Sequence, residues 1–228
     1  INIILLFGTP CPGCGCYSTR SYILGFVGFF EFLSGGTLLT AMSPLKILFC
    51  GTSAFAIPSL RKLAQDSRFV IVGVISQPDR PAGRKGILTP SSISQEATIL
   101  KLPLFRPESL NKSWLELKDK IGTFDILVVV SYGQILSEEI LESPQKIAVN
   151  VHASLLPKLR GASPLQHAIL ENFSVTGVTI QRMVRELDAG PILSQCSLPM
   201  HPRETCAHLH DTLAILGADL LCSTITKP

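Results

Sequence analysis

Short apolar runs alternate with segments of helical spacing from residue 42 onward, and this alternation sets the expected architecture. Leu45-Lys-Ile-Leu-Phe-Cys50 is an apolar run stopped by Gly51-Thr-Ser53, the pattern of a strand entering a tight turn. Ala54 to Asp66 follows with Ile57, Leu60, Leu63 and Ala64 at helical intervals and Arg61, Lys62 and Gln65 between them, with Pro58 tolerable in the first turn. Phe69–Ile75 reads as a second strand and Leu102–Phe105 as a further short one. Asp125–Ser131 has the wholly apolar, largely β-branched middle of a central parallel strand. Lys146–Val151 reads as the next strand, and Ser163 is placed to cap a helix from Pro164 to Glu171. Val175–Met183 and Ile192–Leu198 read as two further strands, and Thr205 is placed to cap a last helix with Leu209, Leu213, Leu216 and Leu220 as its inward stripe. Strand and helix in alternation predict an α/β fold: an open, mainly parallel sheet with helices on both faces.

The first 41 residues do not share this pattern. Arg20 and Glu31 are their only charges, and Tyr22–Leu33 is almost wholly apolar. No basic start precedes that run, as a signal peptide would require, and it is too short to span a bilayer of about 20 residues. Cys11-x-x-Cys14-x-Cys16 resembles part of a metal or redox cluster without a nearby fourth ligand. The expectation is that residues 1–41 are an untranslated or non-native upstream extension, with Met42 the start of the functional domain over 42–228.

A net charge of +3 is ordinary for an enzyme and by itself does not announce a nucleic-acid binder. Seven cysteines, an odd number, argue against a disulfide scaffold. Cys50, Cys196, Cys206 and Cys222 read as reduced, buried residues of a cytoplasmic protein. Gly51-Thr-Ser lacks the spaced glycines of a dinucleotide site.

The candidate chemistry lies in Asn150-Val-His152-Ala-Ser154-Leu-Leu-Pro157 and Leu187-Asp188-Ala-Gly190. Asn150 and His152 lie two apart at a strand end, so both side chains leave one face. Taken singly, Asn150 fits a turn residue, His152 a satisfied core histidine and Asp188 a turn residue before Gly190. Together they form a polar trio emerging from apolar runs, which is costly unless used. Asn150 supplies amide hydrogens for a developing oxyanion, His152 a hydrogen bond or a proton, and Asp188 orients His152 or helps remove a proton. Cys206, His208 and His210 on the last helix diverge in direction, so no metal is expected there and the histidines read as solvated. Gln77-Pro-Asp-Arg80-Pro-Ala-Gly-Arg84-Lys85-Gly is a second informative segment, too rich in glycine, proline and charge for the sheet. Its three cations either grip a phosphate-bearing partner beside the edge that carries the trio or belong to a solvated loop.

These motifs, in order and spacing, resemble the folate-dependent formyltransferase family. Phe49-Cys-Gly-Thr-Ser-Ala-Phe-Ala-x-Pro58 is similar to the family's opening strand and loop, and Val129-Val-Ser-Tyr-Gly133 to its central strand end. Asn150-Val-His152-x-Ser-Leu-Leu-Pro157, Arg160-Gly161-Ala-x-Pro164 and Leu187-Asp188-x-Gly190 complete the set. Gln77–Arg84 resembles the insertion of the branch that acts on methionyl-tRNA. The match runs from about Leu45 to about Leu221 and implies a Rossmann-like formyltransferase fold. It implies formyl transfer from 10-formyltetrahydrofolate to the α-amine of methionine on initiator transfer RNA, in a monomer. Asn150, His152 and Asp188 correspond to the family's catalytic residues, and Arg84, helped by Arg80 and Lys85, to its tRNA-contacting loop. The resemblance also places the folate along Tyr132, Gly133, Ser154, Leu155, Leu156 and Pro157, with no metal. Ser53 and Ala54 depart from the family's usual Pro and polar residue, and the tRNA-binding β-barrel domain that follows in the family is absent from this chain. The alternatives are a formyltransferase acting on a small amine (glycinamide ribonucleotide or a sugar nucleotide), a formyltetrahydrofolate hydrolase, or an inactive folate-binding module.

Overall fold

A computed structural model describes residues 43–83 and 86–226. The expected architecture is present. A seven-stranded sheet has the order β5-β2-β1-β6-β7-β8-β9, where β1 is Leu45–Gly51, β2 Phe69–Ile75, β5 Leu104–Phe105, β6 Ile126–Val130, β7 Ile147–His152, β8 Val175–Arg182 and β9 Ile192–Pro199. The pairings from β5 to β7 are parallel, whereas β8 and β9 are added antiparallel. Helices α1 (Ile57–Gln65), α2 (Ser92–Ile99), α3 (Leu110–Ile121), α4 (Glu138–Leu141), α5 (Pro164–Leu170) and α6 (Cys206–Ile225) cover it.

Side-chain alternation along the strands divides the core into two layers. Ile47, Phe49, Ile126, Val128, Val130, Val149 and Val151 face α1 and α6, packing on Leu60, Leu63, Leu209, Leu213 and Leu221. Leu48, Cys50, Leu127, Val129 and Ala148 face the other way, onto Leu110, Trp114, Leu117 and Ile121 of α3 and Ile140 of α4. Helices on both faces leave β1 and β6 buried throughout their shared length, which is why both read as unbroken apolar runs.

Several local expectations need correction. Ala64 is exposed and Ser59 is buried instead, because the inward face of α1 is centred on Ser59, Leu60 and Leu63. Leu216 and Leu220 lie at the margin of α6, and small residues (Ala214, Gly217, Ala218) make its close contact with the sheet. Ser163 precedes α5 at φ +64° and makes no capping bond. A capping side chain ordinarily reaches the first-turn amides from an extended backbone, and the left-handed conformation removes that option. Thr205 does cap α6, accepting from the His208 amide at 3.2 Å. The basic segment stays out of the main sheet but forms its own two-stranded ribbon, β3 (Arg80–Ala82) against β4 (Ile87–Thr89).

Cys50, Cys196, Cys206 and Cys222 are all free, but only Cys50 and Cys222 are buried, and Cys206 is exposed on the first turn of α6. Burial pushes the Cys50 thiol well above its ordinary range and that of Cys222 up to about 11. Iodoacetamide at neutral pH should therefore modify Cys206 in the folded protein and spare Cys50 and Cys222 until it unfolds. Peptide mass mapping reads this, and equal rates at the three thiols would contradict the packing described. The Cys11, Cys14 and Cys16 motif, Met42, and the rest of residues 1–41 lie outside the described residues.

Candidate active site

Three strand ends deliver the site. In this strand order, the chain leaves β1 toward β2 on one side and β6 on the other, and ligands of open α/β sheets sit at such a switch point, beyond the carboxyl ends of the strands. A cavity of about 720 Å³ opens there, lined by Thr52 and Ser53 after β1, Ser131–Leu136 after β6, Asn150–Ala153 at the end of β7, and the Arg182–Asp188 turn.

Its wall is held by hydrogen bonds between these ends. The Thr52 hydroxyl donates to the Tyr132 carbonyl at 2.7 Å, and Gln77 Nε2 donates to the same oxygen at 3.0 Å. Ser131 at φ +47° and Gly133 at φ +85° make the bend after β6, and a Cβ on Gly133 would lie 2.6 Å from Gln77 Nε2. The loop continues through Gln134, whose Oε1 accepts from the Leu110 amide at 2.9 Å, and Asn111, which accepts from the Ser137 amide at 2.9 Å.

The trio does converge. Asp188, held at φ +48°, presents both carboxylate oxygens to N–H donors. Oδ2 accepts from the Gly161 amide at 2.8 Å, while Oδ1 accepts from Gln181 Nε2 at 2.7 Å and Asn150 Nδ2 at 3.3 Å. His152 Nδ1 faces the same Oδ1 at 3.6 Å, and the two side chains are 8% and 7% exposed. The other imidazole nitrogen, Nε2, lies 2.9 Å from the Leu159 carbonyl. A carbonyl only accepts, so Nε2 carries the hydrogen, and the bare lone pair of the neutral ring belongs to Nδ1. This nitrogen, the carboxylate and the second amide hydrogen of Asn150 therefore share one corner of the cavity. That corner holds a hydrogen-bond acceptor beside an amide N–H donor, a pairing able to move a proton and to stabilise an oxyanion.

Other residues singled out from sequence fall in different places. Tyr132 and Gly133 line this cavity. The Tyr132 ring is 2% exposed, and burial raises its phenol far above the ordinary value, with Cys50 adding to it. Ser154, Leu155, Leu156 and Pro157 line a separate depression of about 250 Å³ with Phe173, Val175 and Thr176, away from the cavity. Several of their backbone groups are paired internally. The Leu156 amide donates to Thr179 Oγ1 at 3.1 Å, the Ser154 carbonyl accepts from Thr179 at 2.7 Å, and the Leu156 carbonyl accepts from Gln195 at 2.9 Å. This turn sets the position of Leu159, and through it the His152 ring. Arg80 is largely exposed and pairs loosely with Glu108 at 3.3 Å, while Arg84 and Lys85 lie outside the described residues. The ribbon carrying Arg80 follows β2, which is three strands from β7, roughly 14 Å at ordinary strand spacing. Because β2, β1, β6 and β7 run parallel, Arg80 nevertheless follows a strand that ends on the same carboxyl edge of the sheet as Asn150 and His152, with β1 and β6 between them.

His210, expected to be solvated, lines the cavity with its ring edge-on to Phe55 at 5.5 Å. Sequence reasoning also missed Gln181, which pairs across the strands with Asn150. No group of three His, Cys, Asp or Glu side chains is placed to hold a metal among the described residues.

The family profile described as formyl transferase matches residues 45–225. The chain belongs to the formyl transferase family. It is similar to methionyl-tRNA formyltransferase of Listeria welshimeri, 46% identical over 181 residues, which is 79% of this chain and 57% of that protein. The corresponding protein of Bacillus cereus is 43% identical over the same shares. The chain thus spans 57% of the length of these relatives. Among solved structures, glycinamide ribonucleotide transformylase 1 from Symbiobacterium toebii superposes with a TM-score of 0.67 at 17% identity, over 85% of this chain and 91% of its own. Phosphoribosylglycinamide formyltransferase from Anaplasma phagocytophilum gives 0.64 at 21%, over 80% and 85%. At these identities the likeness establishes the fold: a mostly parallel formyltransferase sheet flanked by helices.

Proposed function

We propose that residues 42–228 form a catalytic domain that transfers the formyl group of 10-formyltetrahydrofolate to the α-amine of methionine on initiator methionyl-tRNA, for translation initiation in the cytoplasm. The convergence of Asn150, His152 and Asp188 on one corner of the cavity is the observation that carries this reading. The similarity to methionyl-tRNA formyltransferases supports the choice of acceptor. A cavity of about 720 Å³ is within the size range of small-molecule sites and suits a folate of this bulk. The donor supplies an activated formamide carbon.

The chain's own groups then divide the proton work. The neutral amine attacks the formyl carbon, and the free N–H of Asn150 steadies the oxyanion. Nδ1 of His152, its ring fixed by the Leu159 carbonyl, takes the ammonium proton and returns it to the departing folate nitrogen. Asp188 stabilises the doubly protonated ring in between. On this reading Arg80, Arg84 and Lys85 contact acceptor-stem phosphates, and the working unit is a monomer. No helix among the described residues is long and apolar enough to cross a membrane.

The decisive assay offers charged initiator tRNA, free methionine and glycinamide ribonucleotide as acceptors with 10-formyltetrahydrofolate. Selective formylation of the charged tRNA is expected. Transfer to glycinamide ribonucleotide alone would overturn the acceptor, and donor binding without any transfer would overturn catalysis in favour of a folate-binding module.

A further inference from the structure

We infer that Gln181 is a positioning residue that competes with His152 for Asp188 and so keeps the imidazole available as a proton acceptor; its catalytic consequence rests on the function proposed above. Gln181 is the penultimate residue of β8, lies opposite Asn150 and is 2% exposed. Its Nε2 donates to Asp188 Oδ1 at 2.7 Å, while His152 Nδ1 stands 3.6 Å from that oxygen, beyond hydrogen-bond length. With Asn150 Nδ2 also on Oδ1 at 3.3 Å and the Gly161 amide on Oδ2, the carboxylate meets three N–H donors before the imidazole approaches.

The other end of Gln181 is informative. Oε1 is buried and has no hydrogen-bond partner, a costly state for an amide oxygen. Turning the amide over would not relieve it, because Oε1 would then face the carboxylate. A glutamine serving only the core would satisfy both ends, so the retained contact is the one to Asp188. Asp188 is the one charged partner within ion-pair reach of His152 among the described residues. Arg182, Arg185, Glu186 and His210 line the same cavity without a side-chain hydrogen bond to either.

Removing the amide leaves Oδ1 only the longer 3.3 Å contact from Asn150 and opens it to His152. Because Nε2 already carries a hydrogen toward Leu159, closure on Asp188 requires a second hydrogen on Nδ1, and the ring becomes charged more readily. Gln181→Met keeps the length of the side chain without its amide, and Gln181→Asn withdraws the amide by one methylene. Both should move the two imidazole 15N resonances of His152 at pH 7 toward each other, as the ring passes from one bare nitrogen to two protonated ones. The measurement uses the chain without substrate, so it stands whatever the acceptor proves to be. In the formylation assay kcat should fall about 10- to 100-fold, the scale of a misplaced catalytic group, with KM for the donor little changed and the acidic limb of the pH profile displaced upward. An unmoved His152 spectrum in folded Gln181→Met, or in Gln181→Asn should the first fail to fold, would overturn the inference. A moved spectrum without formylation of any acceptor would leave it standing and remove the proposed function.

Discussion

Asp188→Asn should reduce kcat for formyl transfer by about two to four orders of magnitude, the range that general acid–base assistance supplies, while leaving the fold and donor binding nearly intact. Asparagine is the informative replacement because Asp188 sits at φ +48°, a conformation that Asn tolerates and that costs a residue such as alanine about 1–2 kcal/mol. The amide keeps the shape but provides one acceptor oxygen where the carboxylate has two. If that oxygen takes the Gly161 amide, the new NH2 meets Gln181 and Asn150, and Gln181 can turn its unpaired Oε1 to receive it. The cluster stays hydrogen-bonded, so Tm should move by only a few degrees, a loss of about 1 kcal/mol for a domain of this size. What disappears is the negative charge beside His152 Nδ1, and with it the stabilisation of the protonated ring during proton transfer. Steady-state kinetics with charged initiator tRNA, alongside fluorescence titration of the donor, separates the two effects. Activity within tenfold of the parent would remove Asp188 from the chemistry and favour a binding module.

The main sheet was legible because its strands carry their own signal. The apolar run Phe69–Ile75 coincides with β2 from end to end, and the apolar middle of Asp125–Ser131 is that of a strand buried on both faces. The α3 stripe of Leu110, Trp114, Leu117 and Ile121 has helical spacing that the sequence itself carries. In α2 the pattern is blurred, because Ser94 and Glu96 are buried with Ile93 and Ala97, and Glu96 is neutralised by the paired guanidinium of Arg61 at 2.7 Å. A polarity pattern misleads wherever buried polar groups find partners. The same limit applies at the site. Asn150, His152 and Asp188 stand out as polar residues in apolar company, yet Gln181 becomes visible only with the antiparallel β7–β8 register that sets it opposite Asn150. His210 looked like any helix histidine, since its place in the cavity depends on how α6 lies against the turn after β1. Ser154–Pro157 shows the converse. A compact turn next to the trio reads as a pocket wall, while the Leu156 amide and the Ser154 and Leu156 carbonyls are paired with Thr179 and Gln195 on the neighbouring strands, which the sequence does not reveal.

Gly190→Ala should cost both stability and activity, for one geometric reason. A Cβ built on Gly190 falls 1.8 Å from the Arg182 carbonyl oxygen and 3.0 Å from its carbon, so the clash is with backbone and no side-chain rotation relieves it. Arg182 is the last residue of β8, its amide donates to the Pro191 carbonyl at 2.9 Å, and its neighbour Gln181 pairs with Ile192 of β9. Separating Gly190 from Arg182 therefore opens the base of the turn that projects Asp188 and displaces Gln181 with it. Overpacking of this kind costs about 1–3 kcal/mol, a fall in Tm on the order of 5 °C for a domain of this size. A shift of about 1 Å at Asp188 should lower kcat roughly a hundredfold. Gly122→Ala is the matched control: Gly122 follows α3 at φ +73° and ψ −157° with open space around it, a backbone region essentially reserved for glycine, so alanine there costs about 1–3 kcal/mol without disturbing the site. Thermal melts and kinetics on the two variants should show similar destabilisation and divergent activity. Parent-like kcat in folded Gly190→Ala would mean that the turn tolerates the displacement, and that the position of Asp188 is set by its hydrogen bonds to Gly161 and Gln181 more than by the close approach of Gly190 to β8.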